Sequence, residues 1–375
     1  MIDRFPFQNL FFYSIFLRLV VVGSTPVWSD DIYRYLWDSS LQIQKINYFE
    51  NTPREFVDSL LSVGEFQSFL YQNMNSPDYL SVYPPLLIAV YSIPIYFFPD
   101  YDSIVLALQL IWILVDVLIF LLLRIWFTVN TKSLWFYMGN PLVIIESIAQ
   151  LHPEILILVF ILVLVKFQHR RILSILSFLF ILNIKISYLI YLPSLFRFAH
   201  WKRILVLLIF LLPIGGFLFV HYSAFHLQGV KGLGLFFHSF RFHGILESPI
   251  FWGLEVFDVS YLSGAISLFC FGMFLMWFVW FTRKFRLPLE VSLYYVTVLF
   301  LIFTPVFHPW YLIPAILLTV LNIKLQSLSF IFLLFSGFSY ILYAFKEFSF
   351  YLTIIEIFIL FIYVRKSYHI IFQKT

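Results

Sequence analysis

Apolar residues fall in long blocks set apart by short basic clusters. The blocks are roughly 7–22, 104–124, 133–149, 153–166, 203–222, 254–281, 288–307, 309–323, 327–345 and 349–364. A helix needs about 20 apolar residues to cross a bilayer. Several blocks are shorter, which predicts tilted or broken helices and a locally thinned bilayer. Two further blocks resist a simple spanning reading. Residues 82–98 carry Pro84, Pro85, Pro94 and Pro99, and a crossing there would invert the side of every later basic cluster. They are expected to form a re-entrant or interfacial helix. Residues 172–196 are interrupted at Asn183-Ile184-Lys185, which predicts a hairpin of two half-helices. Irregular backbone at membrane depth is tolerated only where it lines a cavity or is buried in protein, so both segments point to a cavity. Between the first two spans the period changes. Ile32, Tyr35, Leu36, Leu41 and Ile43 recur at helical spacing, as do Phe56, Val57, Leu60, Leu61, Phe66, Phe69 and Leu70. These predict two amphipathic helices lying on the membrane surface, joined by a turn over Asn47 to Pro53.

Composition sharpens this picture. Of 375 residues, 62% are hydrophobic and 12% charged, about half the charge of a soluble domain. The expected fold class is an all-α polytopic membrane protein with about ten to thirteen membrane helices, a single unit over 1–375. Residues 7–22 read as its first span, because no small-residue cleavage site follows them. Cys270 is the sole cysteine, so no intrachain disulfide forms. A net charge of +4 is too small to suggest a nucleic-acid partner.

The basic clusters are Arg124 and Lys132; Lys166, Arg170 and Arg171; Arg197, Lys202 and Arg203; Arg283, Lys284 and Arg286; Lys324; Arg365 and Lys366. One parse puts all of them on the cytoplasmic face, where Lys and Arg are enriched. The opposite face then collects the acidic and histidine motifs, in a first outer loop over 23–81, at His152-Pro153-Glu154, in a second loop over 223–252, and at His308-Pro309-Trp310-Tyr311.

Candidate chemistry sits in those motifs. Ser29-Asp30-Asp31-Ile32-Tyr33-Arg34-Tyr35-Leu36-Trp37-Asp38 holds three carboxylates and an arginine beside the bilayer, where charge is costly. One reading is structural: Asp30 caps the helix and pairs with Arg34 at i,i+4. The other is catalytic, an Asp taking the proton of an attacking hydroxyl. His152 and Glu154, with Glu146 nearby, place a histidine and two carboxylates near one face. Lys185 either snorkels to the cytoplasmic face or meets a lipid phosphate. His238-Ser239-Phe240-Arg241-Phe242-His243-Gly244 is either an interfacial belt or a phosphate site, because Arg donates bidentate hydrogen bonds. Pro309, Trp310 and Tyr311 suit a helix start and an interfacial anchor, while anchoring has no need of His308. No metal motif stands out, although Asp30, Asp31 and Glu154 are candidates to hold Mg²⁺ or Mn²⁺. No Walker sequence or dinucleotide fingerprint is present.

Asp30 to Asp38, followed by Ile46-Asn47-Tyr48 and Tyr83-Pro84-Pro85-Leu86, resembles the first outer loop of GT-C superfamily glycosyltransferases, closest to those using polyprenyl-phosphate-mannose. Asn140-Pro141-Leu142, His152-Pro153-Glu154, Arg241-Phe242-His243-Gly244 and His308-Pro309-Trp310-Tyr311 follow in that group's order, so the resemblance covers about residues 1–315. It departs at Asn47-Tyr48-Phe49, at His243 and at Glu154, where the group often has Asn-Pro-Tyr, Asn and Asp. The resemblance implies a GT-C fold and transfer of a hexose, mannose above all, from a polyprenyl-phosphate donor. Transfer would be to a hydroxyl of a lipid, glycan or protein on the non-cytoplasmic face, with inversion, in a bacterial inner membrane. It implies Asp30 as base, with Asp31 capping, orienting or binding donor. Arg34, Tyr83, Lys185, Arg241, His243 and His308 would bind donor and phosphate, and His152, Glu154, His238, Trp310 and Tyr311 would support the acceptor. A transporter or flippase of lipid-linked glycans is the alternative, and it predicts charges distributed through the spans.

Overall fold

The computed structural model describes residues 7–59, 64–196, 201–226, 231–235 and 240–372. Among these the chain is helical with no strand, and an isolated bridge joins Phe242 to Val306. Helix α1 (Phe7–Leu19) is followed by a stretch that turns at Gly23, whose φ of 81° is left-handed. Gln109 clamps this turn, accepting from the Gly23 amide at 2.7 Å and donating to the Ser24 carbonyl at 2.8 Å.

Helix α2 (Asp31–Ile43) departs from the expected surface helix. Its apolar residues Ile32, Tyr35, Leu36, Trp37 and Leu41 are buried, but so are Arg34, Asp38, Ser39 and Ser40. The reason is that its polar face is closed as well. Arg34 donates to Asp38 at 3.0 Å and to the carbonyls of Ser76 and Tyr79, Ser81 donates to Asp38 at 2.6 Å, and Ser39 donates to the Ile88 carbonyl. The helix is therefore covered by α4 (Glu65–Asn73) and α5 (Pro85–Ile95), with α3 (Pro53–Ser59) alongside. Leu60 and Leu61 lie outside the described residues.

Helix α5 starts at Pro85, a residue suited to the first helical position. Its 11 residues are about 16 Å long, far short of a bilayer core of about 30 Å. It packs on α2 and, through Tyr91 edge-on to Trp112, on α6 (Tyr101–Trp126). Helix α7 (Thr131–Met138) leads into a short α8 (Pro141–Ile144), a π-helical turn over Ile145–Ala149, and α9 (Glu154–Lys166). The pair Pro141–Ala149 and Glu154–Lys166 is bent by 116°. The bend follows from Pro153 and from Leu151, whose φ of 61° no α-helix permits. Helix α10 (Arg171–Ile184) stops at Lys185, which is extended, and a 3₁₀ turn over Ile186–Tyr191 leads into α11 (Leu192–Phe196). The predicted break lies there. Helices α12 (Trp201–His221), α13 (Glu247–Glu255), α14 (Ser263–Phe285), α15 (Leu289–Phe303), α16 (Ile313–Leu321), α17 (Gln326–Ala344) and α18 (Ser349–Phe372) follow.

Among the described residues four helices are long and apolar enough to cross a membrane, or five if the bent pair counts as one span. The protein is an all-α polytopic membrane protein. Many remaining apolar helices are shorter, because proline and polar breaks divide blocks that look continuous in sequence.

One tie inside the helix layer joins α1, α6 and α7. Arg18 pairs with Asp116, both fully buried, and donates to Ser14 and to the Met138 carbonyl, while Tyr137 donates to Asp116 at 2.8 Å. A buried charge persists in hydrocarbon only when paired in this way.

Candidate active site

Asp30 occupies the N-cap position of α2, yet its side chain makes no capping hydrogen bond. The Asp31 amide reaches Ser29 Oγ instead, at 3.3 Å. Nor does Arg34 pair with Asp30, since Asp38 holds it, so the structural reading of Asp30 fails on both counts. Arg34 is buried and holds Asp38 and two carbonyls, bracing the loop, with Nη2 left unbonded. Both Asp30 and Asp31 are half-buried. Burial raises the Asp30 carboxyl above its ordinary value. Burial also pushes Asp31 up to about 6, with Lys185 opposing the rise, Glu154 and Asp30 adding to it, and a Tyr35 contact opposing it.

Lys185 does not snorkel away to a membrane face. Its extended backbone ends α10, and its ammonium pairs with the buried Glu154 at the start of α9. The ammonium also lies 4.2 Å from the centre of the Tyr311 ring, a cation–π contact. Tyr83 packs edge-on to Tyr35 at 4.8 Å, and the Tyr35 hydroxyl is 3.5 Å from Asp31. The chain thus brings Asp30, Asp31, Tyr83, Glu154, Lys185 and Tyr311 into one neighbourhood from five separated segments.

A second group adjoins it. Tyr340 on α17 donates to Glu146 on the π-helical turn, and Glu146 Oε2 lies 3.3 Å from His152 Nε2. The Trp310 ring is held between two imidazoles, His152 at 3.7 Å and His308 at 4.3 Å, both stacked. His308 shares a 2.6 Å hydrogen bond with the Tyr343 hydroxyl. A π-turn is a common device for aiming a side chain into a functional site. Beside Tyr340 and Tyr343 opens a cavity of about 1390 Å³. Trp28, Ile145, Phe330 and Leu333 line it, and it runs along α7 and α17 to Asn130 and Lys132 at its far end.

The other candidates are turned elsewhere. Arg241 donates to Glu247 at 2.7 Å and to the Ser260 carbonyl at 3.0 Å, with its guanidinium over Phe251. Two partners and Phe251 thus hold its guanidinium within the protein. His243 is fully buried between Ser339 and Glu356, joining its loop to α17 and α18, so it is a structural tie and not a donor ligand. His238 lies outside the described residues. Among the described residues no three His, Cys, Asp or Glu side chains converge as a metal site, so Asp30, Asp31 and Glu154 do not form one.

Sequence reasoning passed over Tyr35, Tyr340 and Tyr343. The last two sit three apart on an apolar helix, a spacing that reads equally well as an interfacial belt.

Residues 19–200 match a family model described as alpha-(1->6)-mannopyranosyltransferase, N-terminal domain, the MptA_B family. This is a GT-C type mannosyltransferase family, and over that stretch the chain is similar to it. The match includes Asp30, Asp31, Tyr83, Glu146, His152, Glu154 and Lys185. No curated protein and no solved structure matches the chain.

Proposed function

We propose that the protein moves a mannosyl group from a polyprenyl-phosphate donor to an acceptor hydroxyl at the non-cytoplasmic face, inverting the anomeric centre. One observation carries this reading: the unbonded carboxylate of Asp30 and the lysine of a broken helix both neighbour Asp31, which lies within electrostatic reach of Tyr343 on the wall of a large apolar cavity. The cavity suits an isoprenoid chain. Lys185 suits the phosphate, because its ammonium has three donors, of which Glu154 uses one.

In the reaction Asp30 accepts the proton of the acceptor O–H. The oxygen forms a bond to the anomeric carbon on the side away from the phosphate. The bond from that carbon to the phosphate oxygen breaks, and the electron pair leaves with the polyprenyl phosphate. In-line displacement needs base and phosphate on opposite sides of the sugar. The lysine that pairs with Glu154 suits the phosphate side, and the unbonded Asp30 suits the base. Asp31, between them, orients the sugar. Lys185 stabilises the charge that develops on the departing phosphate, a large electrostatic contribution in a site of low polarity. Tyr83, Tyr311, Trp310 and His308 shape the walls around the transferred sugar and its acceptor.

Transport of lipid-linked glycans calls for ionisable groups along a path through the spans. The pair within the helix layer, Arg18 and Asp116, is closed by Tyr137, Ser14 and a carbonyl, which suits a static brace.

The test is transfer of labelled mannose from synthetic polyprenyl-phosphate-mannose by purified protein in nanodiscs. Transfer with inverted product configuration is expected, and its loss in Asp30→Asn. Full activity in both Asp30→Asn and Asp31→Asn would sink the base assignment.

A further inference from the structure

Three side chains where the two groups adjoin leave polar atoms unanswered. Glu146 Oε2, Glu154 Oε2 and both ring nitrogens of His152 are buried without a hydrogen-bond partner. Each residue is at most 1% exposed. The approach of His152 Nε2 to Glu146 Oε2, at 3.3 Å, lacks hydrogen-bond geometry. An unpaired buried polar atom costs about 1–3 kcal/mol, so such atoms are few in a folded protein and call for an explanation. Here four gather on one side of the Asp31–Lys185 pocket. Glu146 is also within electrostatic reach of Glu154 and Asp31, so the group borders the reacting centre.

The surrounding chemistry narrows what answers them. Carboxylates repel a phosphate, so the atoms do not await the anionic part of the donor. Among the described residues no three His, Cys, Asp or Glu side chains are placed to hold a metal ion. A carboxylate oxygen accepts from O–H groups, and a neutral imidazole donates at one nitrogen and accepts at the other. A neutral ring bearing several hydroxyls satisfies all of these at once.

Building on the transferase reading above, we infer that Glu146 and His152 read the hydroxyls of the transferred hexose and set which sugar the enzyme moves. Tyr340 is a positioning residue. Its hydroxyl occupies Glu146 Oε1 and so leaves Oε2 for the sugar. Glu154 divides its two oxygens in the same manner, one on Lys185 and one unbonded.

The experiment compares kcat/KM for polyprenyl-phosphate-mannose with its 2-, 3-, 4- and 6-deoxy analogues, in the full chain in nanodiscs. A site built to hydrogen-bond a hydroxyl rejects the analogue lacking it strongly, so the wild type should disfavour at least one deoxy donor by about 10-fold or more. Glu146→Gln and His152→Phe, the latter keeping an aromatic ring on Trp310, should slow the parent donor by about 10-fold and leave that deoxy donor nearly unchanged, so the preference collapses. Tyr340→Phe should shrink the preference in the same direction by a smaller factor, with a melting temperature near wild type. Equal slowing of the parent and every deoxy donor in all three variants would show a merely structural role and overturn the inference. A wild type that transfers mannose without preference would overturn it too and leave the transferase reading standing. A wild type that moves no mannose from this donor would bring down both.

Discussion

Two buried charge clusters in this protein are built alike and finished differently. In the helix layer, Arg18 meets Asp116, and Tyr137, Ser14 and the Met138 carbonyl surround the pair, leaving one unbonded atom, Arg18 Nη2. At the bent helix, Lys185 meets Glu154, but Glu154 keeps an unbonded oxygen, and Glu146 and His152 beside it keep three more unbonded atoms. Both clusters carry the desolvation cost of buried charge. The first offsets it by internal pairing and ties three helices together. The second is left partly open beside a pocket. The contrast teaches that burial of charge does not by itself mark a site; incomplete pairing next to a cavity does. His243, held by Ser339 and Glu356 with only Glu356 Oε2 unbonded, stands nearer the first kind, and so does Arg241, held by Glu247 and the Ser260 carbonyl.

Substitutions can break this contrast. The largest effect is expected at the mouth of the open cluster. Asp30→Asn should cut mannosyl transfer by about 10²–10⁴-fold, the range for loss of a general base, with little change in melting temperature. Steady-state rates and a thermal shift assay together check it. A stability loss as large as the activity loss would move Asp30 into the structural class.

Asp116→Leu should act the opposite way. Removing one partner of a closed, buried pair strands Arg18 and should cost about 3–5 kcal/mol in stability, measured by unfolding in detergent. The double variant Arg18→Met with Asp116→Leu should recover most of that loss, since a matched apolar pair needs no counter-charge. No recovery would mean that the pair does more than brace the helices.

The pH profile sharpens the open side. The Asp31 carboxyl is raised, so it takes up a proton as pH falls through about 6. With Asp31 needed in its ionised form, kcat/KM should fall on the acid side with a midpoint near 6. In Asp31→Asn any remaining activity should lack that limb. An unchanged acid limb in this variant would assign the titration to another group.

The smallest effect is expected from Tyr137→Phe, which removes one neutral hydroxyl from the closed cluster. It should cost about 0.5–1.5 kcal/mol in stability and leave transfer rates within about 2-fold of wild type.

Much of this arrangement was legible from local pattern. The prolines of 82–98 announced a short non-spanning helix, and Asn183-Ile184-Lys185 announced the break that delivers Lys185. Blocks 133–149 and 153–166 read as two spans, whereas the structure bends Pro141–Ala149 and Glu154–Lys166 by 116° about Leu151 and Pro153. The amphipathic reading of residues 31–46 erred because periodicity reports which face is apolar, whereas Asp38, Arg34 and Ser39 found partners in Ser81, Ser76, Tyr79 and Ile88, more than 35 positions away. Arg241 misled for the same reason. An arginine among aromatics looks ready for a phosphate until Glu247 is seen to hold it. Arg18 and Asp116 were visible as isolated opposite charges in apolar runs, a signal that could have joined α1 to α6.

The sequence by itself determined the membrane class, the helical blocks and their breaks, and the cluster of acidic residues in the first loop. These follow from hydropathy and from backbone stiffness at proline, which act over a few residues. The tertiary structure alone decided which charges are closed and which are open, that Lys185 meets Glu154, and that Tyr340 on a late helix holds Glu146 on an early one. Pairing depends on groups brought together from segments 31 to 194 positions apart, and no local pattern encodes that approach.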